Sequence, residues 1–272
     1  MEGKNKIIEE IGSKQNITWC PGCTNFSLLF AFKKAVAELI DENKVKKEKI
    51  VYATGIGCHG KMHDYLRLSS FYGIHGRVLP VLFGIKVAKP EIKAIGFAGD
   101  GDAYDEGISH LIHAARYNID VTYVIHNNQI FALTTGQPTA TTQKGMQSKS
   151  FKKAVQETPL NPIKLMLSLD ASFIARGYAL EIEHLKEIFK KAIMHKGFSF
   201  VEVLQPCIIF NDTRQYISKK VYKLEETKHN PYSFEEAWKK ANEWNYCYDD
   251  AKIPIGVFYI KKKPTFEEKY LK

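Results

Sequence analysis

Apolar residues in this chain gather in short β-branched runs, separated by longer stretches with helical spacing. Two runs dominate the centre, Ile92–Ala98 and Val121–His126, each bounded by turn residues. Runs of this length without polar alternation predict parallel strands covered on both faces. Between them a Gly/Asp turn at 99–102 leads into a helix predicted over Tyr104–Asn118, and a polar loop opens at Asn127-Asn128. Thr24 stands where an N-cap would begin a helix over Phe26–Ile40. Lys49–Thr54 reads as a strand, Met62 as a helix start, and Val78–Val87 as a small apolar stretch. Further on, helices are predicted from Pro162 and over Ile182–His195, with strands near Ala171–Ala175, over Phe198–Leu204 and at Ile255–Ile260. Alternating βα units define an α/β fold with a doubly wound, mostly parallel sheet. Beyond Phe210 the alternation decays into a Lys/Glu/aromatic tail. The expected division is therefore an α/β domain over 1–210 and a C-terminal arm or lid over 211–272. The loop from Gln129 to Ser150 is long and rich in Thr, Gly and Gln, which marks it as functional or disordered.

Composition narrows the class. With 272 residues, 44% apolar and 12% aromatic, the chain supplies ample core. It has no apolar run of 18 residues, so no spanning helix is expected. The charged start MEGKNKIIEEIGSK lacks the apolar region of a signal peptide, and a cytoplasmic protein without membrane contact is expected. The net charge of +9 is carried almost wholly by lysine, as at Lys44–Lys49 and Lys261–Lys263. That pattern reads as a solvated face or as a docking surface for an acidic partner. The lysines are dispersed and no nucleic-acid reading module accompanies them. No G-x-x-x-x-G-K-[ST] is present.

The chemistry concentrates at the central stretch. Its two strands put Asp100 and Asn128 at neighbouring carboxyl ends, the edge where open α/β sheets bind ligands. Gly99 and Gly101 let backbone approach a phosphate closely. Asp100 and Asn128 offer two hard oxygens, and Mg²⁺ is usually held by a few protein oxygens together with substrate phosphates. A divalent cation also reverses the repulsion between a carboxylate and a diphosphate. The element reads as a Mg²⁺-diphosphate site, and G-D-G-D followed by N-N resembles the thiamine diphosphate motif of thiamine-dependent enzymes.

Cysteines stand at 20, 23, 58, 207 and 247. A disulfide framework does not suit a cytoplasmic protein, and Cys20-Pro21-Gly22-Cys23 is not placed as the redox pair of a thioredoxin-like unit. Metal ligation by Cys20, Cys23, Cys58 and Cys207 explains more, with zinc and an iron–sulfur cluster both open from spacing. Cys58 should share the sheet edge of Asp100, where a redox-inert zinc has little to do and a cluster could take electrons. Cys247 reads as an ordinary packed cysteine.

In chain order, W-C-P-G-C, G-I-G-C-x-G-K, H-G-R, G-D-G-D with N-N, T-G-Q-P-T-x-T-T, F-I-A-R-G and Q-P-C together resemble the beta subunit of the 2-oxoacid:ferredoxin oxidoreductases. The likeness covers nearly the whole chain. It implies the diphosphate-binding half of a thiamine diphosphate fold, with Mg²⁺ on Asp100, Asn128 and the carbonyl of Ile130. It further implies a 4Fe–4S cluster on Cys20, Cys23, Cys58 and Cys207. Diphosphate and thiazolium contacts would come from Ile56, Gly57, Cys58, His59, His75, Gly99, Gly101, Asp102, Ala132 and Leu133. Lys61 matches a basic position whose ammonium would pair with a 2-oxoacid carboxylate, and His75 would serve beside it. The implied reaction is CoA-dependent oxidative decarboxylation of a 2-oxoacid, pyruvate or 2-oxoglutarate, with electrons passed to ferredoxin. The pyrimidine-binding half is missing from the chain, so the resemblance implies an alpha-type partner subunit in a heterodimer or higher heteromer. The chain departs from the family at Thr24, Phe131-Ala132 and Glu106, none of which removes a ligand. Two other readings use the same residues: a non-oxidative thiamine diphosphate decarboxylase subunit with structural zinc, and a non-catalytic iron–sulfur carrier.

Overall fold

Short apolar runs become strands, as expected, because each is buried on both sides by helices. The computed structural model describes residues 2–247 and 250–271. Its strands are β1 (Ile50–Thr54), β2 (Ser69–Tyr72), β3 (Lys93–Gly99), β4 (Val121–Asn127), β5 (Ile130–Phe131), β6 (Gln137–Pro138), β7 (Phe173–Tyr178), β8 (Ser199–Leu204), β9 (Val221–Lys223) and β10 (Ile253–Ile260). Eight form one sheet in the order β2-β1-β3-β4-β8-β7-β10-β9, and β5 and β6 make a separate two-stranded hairpin. Every pairing in the large sheet is parallel except β10 with β7.

Alternation along the strands divides the core in two. Ile95, Phe97 and Val124 pack with the helices Asn25–Asp41 and Ile182–Met194 on one face. Ala94, Ala98, Tyr123 and Ile125 pack with Val78–Ala88, Ile108–Tyr117 and Pro162–Ser168 on the other. Truncating a fully buried ring such as Phe97 would cost about 3–5 kcal/mol. The chain leaves β1 towards β2 and returns on the other side as β3, so the order of strand addition reverses between β1 and β3, which remain parallel. Their carboxyl ends flank the crevice where doubly wound sheets place ligands.

Several local expectations are revised. The helix expected from Tyr104 begins only at Ile108, because Gly101–Glu106 forms a π-helical turn directly after β3. Thr24 occupies the N-cap position without capping; its hydroxyl donates to the Pro206 carbonyl at 2.9 Å. Val78–Ala88 is a helix, and β2 is an exposed edge strand that no apolar run marks. The segment after 210 contributes β9 and the almost wholly buried β10 to the main sheet. The loop after Gln129 is ordered by β5, β6 and side-chain bonds to the crevice. Among the described residues no helix is long and apolar enough to cross a membrane.

Candidate functional site

Parallel pairing of β3 with β4 puts Gly99 opposite His126. Asp100 and Asn128 therefore leave adjacent strands, and the Asn128 N–H points towards Asp100 Oδ1 at 3.5 Å. They line a cavity of about 150 Å³. Its other walls come from the turn after β1 (Ile56, Gly57, Cys58, His59), from His75, from Gly99, Gly101 and Asp102, and from Ile130, Ala132 and Leu133. The structure thus gathers every proposed Mg²⁺ and thiamine diphosphate residue around one space.

Asp100 is fully buried. Its Oδ2 accepts from Thr139 Oγ1 at 2.6 Å and Thr141 Oγ1 at 3.0 Å. Burial nevertheless pushes its carboxyl from 3.8 up to about 7, with the threonine bonds only partly offsetting the loss of water. A buried carboxylate held this high is a fitting ligand for a cation, which restores the missing countercharge. The sign follows. Between about pH 4 and 7 the folded chain binds a proton that the unfolded chain has released, so the cation-free fold loses stability as pH rises through that window. Cation binding must displace the proton, so Mg²⁺ affinity should fall by up to about tenfold per pH unit below 7 and level off above it. A titration of Mg²⁺-dependent cofactor binding between pH 5.5 and 8.5 checks this, with a flat profile as the contrary result.

Asp102 has a different task. Its Oδ1 accepts the Gly76 N–H at 2.6 Å and lies 3.6 Å from His75 Nε2, while Oδ2 meets His59 Nε2 at 3.2 Å. This one carboxylate orients two imidazoles on the cavity wall. The cradle is tight, since a Cβ on Gly55 would lie 1.8 Å from Asp102 Oδ2 and one on Gly101 would lie 2.2 Å from the Phe131 ring. His126 closes the floor. Its Nδ1 meets Asn25 Oδ1 at 2.8 Å, its buried Nε2 has no partner among the described residues, and burial holds it neutral, well below the usual histidine range. An unpartnered acceptor, a high carboxylate and glycines at points of closest approach all fit a polar, cation-bearing ligand.

Cys20, Cys23, Cys58 and Cys207 line a second cavity of about 220 Å³. The two cavities share Cys58, Asn128, Ala132, Leu133 and Gln205 as common wall. Trp19 Nε1 donates to the Cys58 carbonyl at 2.7 Å, and Gln205 Nε2 donates to Thr24 Oγ1 at 2.7 Å, tying the three cysteine-bearing segments together. Burial pushes the Cys58 thiol up to about 11, with the neighbouring thiols adding to the shift, and raises Cys23 likewise. Among the described residues no three His, Cys, Asp or Glu side chains stand close enough to hold a single metal ion. Lys61 lies on this cavity rather than the first, its ammonium donating to Thr18 Oγ1 at 2.8 Å. Cys247 stands apart, its thiol donating to the Asn245 carbonyl.

Thr139, Thr141, Gln129 and Gln205 also belong to the site, although sequence reasoning singles out none of them individually. Their signal lies in the T-G-Q-P-T-x-T-T and Q-P-C segments and in the residue that follows Asn127-Asn128.

The site and sheet define a thiamine diphosphate-binding α/β domain, and comparison with known proteins agrees. Residues 55–203 match the family described as thiamine pyrophosphate enzyme, C-terminal TPP binding domain. Residues 207–272 match the family described as the C-terminal part of the pyruvate ferredoxin oxidoreductase beta subunit. The chain is 41% identical over 262 residues to a 2-oxoacid:ferredoxin oxidoreductase subunit beta of Saccharolobus solfataricus, covering 92% of this chain and 84% of that one. It is 31% identical over 250 residues to the 2-oxoglutarate synthase subunit KorB of Methanocaldococcus jannaschii, covering 92% and 90%. The solved 2-oxoglutarate:ferredoxin oxidoreductase of Magnetococcus marinus, with 2-oxoglutarate, coenzyme A and succinyl-CoA bound, superposes with a TM-score of 0.90. That match has 30% identity and covers 97% of this chain and 88% of that chain. The chain belongs to the beta subunits of the 2-oxoacid:ferredoxin oxidoreductases.

Proposed function

We propose that this beta subunit holds both redox halves of a 2-oxoacid oxidation, Mg²⁺–thiamine diphosphate in the first cavity and a 4Fe–4S cluster in the second. The observation that carries this reading is the shared wall, because Cys58 lines both cavities. When bound, thiamine diphosphate supplies a nucleophilic carbon and an electron sink for a 2-oxoacid, and the cluster accepts electrons singly. The chain's own residues hold and shield these groups. Asp100, Asn128 and the Ile130 carbonyl would ligate Mg²⁺, and Gly99 and Gly101 would let backbone close on the diphosphate. His59 and His75, fixed by Asp102, would border the reacting end. Cys20, Cys23, Cys58 and Cys207 would ligate the cluster as thiolates, the raised affinity of Cys23 and Cys58 for protons overcome by the metal.

Coenzyme A as acyl acceptor and a ferredoxin as electron acceptor complete the proposed reaction. The cationic surface, with its net charge of +9, suits an acidic acceptor. The carboxylate that activates the aminopyrimidine would come from a pyrimidine-binding partner, so the isolated chain should be inactive. Either 2-oxoglutarate or pyruvate fits the family, and the partner contributes to that choice. The test is anaerobic complex, co-expressed with its neighbouring subunit and assayed for CoA-dependent viologen reduction across several 2-oxoacids. Reduction that requires thiamine diphosphate and one preferred 2-oxoacid supports the reading. Decarboxylation without dye reduction supports the zinc-bearing decarboxylase instead.

A further inference from the structure

Two non-glycine residues with left-handed backbone touch each other beneath the first cavity. Gln129, at φ +62°, lies between Asn128 and Ile130, and Tyr246, at φ +63°, belongs to the C-terminal segment. Such conformations are strained for residues with large side chains and persist only where surrounding contacts enforce them. Both residues are buried. Gln129 Nε2 donates to the Thr141 carbonyl at 2.7 Å and to the Tyr246 carbonyl at 3.3 Å, and its own N–H donates to Asn127 Oδ1 at 3.0 Å.

The contacts continue inward. Asn127 Nδ2 donates to Glu202 Oε1 at 2.7 Å, and Glu202 Oε2 accepts from Arg176 Nε at 2.8 Å and the Tyr246 hydroxyl at 2.5 Å. Arg176 Nη2 also donates to that hydroxyl at 2.7 Å. Arg176, Glu202 and Tyr246 are wholly buried. At the other end the Thr141 hydroxyl donates to Asp100 Oδ2 at 3.0 Å and also lies 3.0 Å from Asn127 Oδ1. A buried ion pair is a poor stabiliser compared with apolar packing. Its place in an unbroken chain of bonds from Asp100 to Tyr246 gives it another use.

We propose that Asn127, Gln129, Arg176, Glu202 and Tyr246 form a positioning network that fixes the Asn128–Ile130 turn, and so the cation site, from the C-terminal segment. The inference rests on Asp100, Asn128 and Ile130 being the cation ligands. The network makes Arg176, within F-I-A-R-G, the internal anchor of this turn. It also gives the C-terminal segment a role at the cofactor without contact to it.

The test uses the complete complex, stripped of cofactor and titrated with Mn²⁺ in the presence of thiamine diphosphate, free Mn²⁺ being read by EPR. Tyr246→Phe removes one hydroxyl. Gln129→Asn keeps a residue that tolerates positive φ but shortens the tether. Both should raise the Mn²⁺ Kd by about tenfold, at the lower end of the range for residues that orient metal ligands, while far-UV circular dichroism stays unchanged. Wild-type Mn²⁺ affinity in both variants, whatever their melting temperatures, overturns the proposal. If Tyr246→Phe does not fold, Gln129→Asn decides alone. Asp100→Asn separates the two levels: undiminished Mn²⁺ binding in that variant overturns the cation-site assignment itself, and the network's role with it.

Discussion

Asp100→Asn should cost the complex at least about 100-fold in Mg²⁺–thiamine diphosphate affinity, and should make the cofactor-free fold more stable. Both effects come from one buried charge. The rise of the Asp100 carboxyl from 3.8 to about 7 corresponds to on the order of 4 kcal/mol against the ionised form at high pH. Asparagine keeps the shape and can still accept from Thr139 and Thr141, but it carries no charge to desolvate. At pH 8 without cofactor, the variant should therefore melt roughly 8 °C higher, given the usual relation between free energy and melting temperature for a domain of this size. The difference should shrink to a small remainder near pH 4, where the wild-type carboxyl is protonated in the folded chain and partly so in the unfolded one. With Mg²⁺ and thiamine diphosphate present the order should invert, because only the wild type gains from binding. Calorimetry with and without cofactor at pH 8 and pH 4 measures all four states. A variant that melts lower without cofactor and binds it normally would remove Asp100 from the cation site.

Cys58→Ser should separate the two cavities. Cys58 lines the cofactor space and its carbonyl is held by Trp19 Nε1; serine keeps that backbone and nearly the same side-chain size. Thiamine diphosphate affinity should change by less than about threefold, a difference worth under about 1 kcal/mol. The thiol, by contrast, is one of four around the second cavity, and serine is a poor ligand for iron. Iron and acid-labile sulfide per chain should collapse, and 2-oxoacid-dependent viologen reduction should fall at least about 100-fold. Cys247→Ser, away from that cavity, should leave iron, sulfide and rate alone. Retained iron in Cys58→Ser, or lost iron in Cys247→Ser, would assign the cluster to other thiols.

The parts of this molecule that are legible in the sequence are those where burial is symmetrical. Strands β3, β4 and β8 are covered on both faces, so their apolar runs stand out, and the glycine and aspartate that follow β3 mark the edge where a ligand binds. Strand β2 escapes notice because it is an exposed edge, with no run of apolar residues to betray it. The π-helical turn at Gly101–Glu106 is set by tertiary fit: Gly101 abuts the Phe131 ring and Asp102 must reach back to His59 and Gly76. No local periodicity encodes that. Glu202 and Arg176 resemble solvent-facing charges in otherwise apolar strands, and only their pairing in space shows them to be internal. Lys61 lines the cysteine cavity, and a helical start of four residues gives no indication of which wall its side chain meets.

In the proposed function, one chain joins a thiamine diphosphate site to an electron-accepting cluster across a shared wall. EPR of the anaerobic complex tests this most directly: the preferred 2-oxoacid is added without external acceptor, and samples are frozen over time with and without thiamine diphosphate. A reduced-cluster signal should grow after 2-oxoacid addition only when thiamine diphosphate is present, and should be missing from Cys58→Ser. A complex that contains zinc and no iron, and still consumes its 2-oxoacid without any such signal, would contradict it.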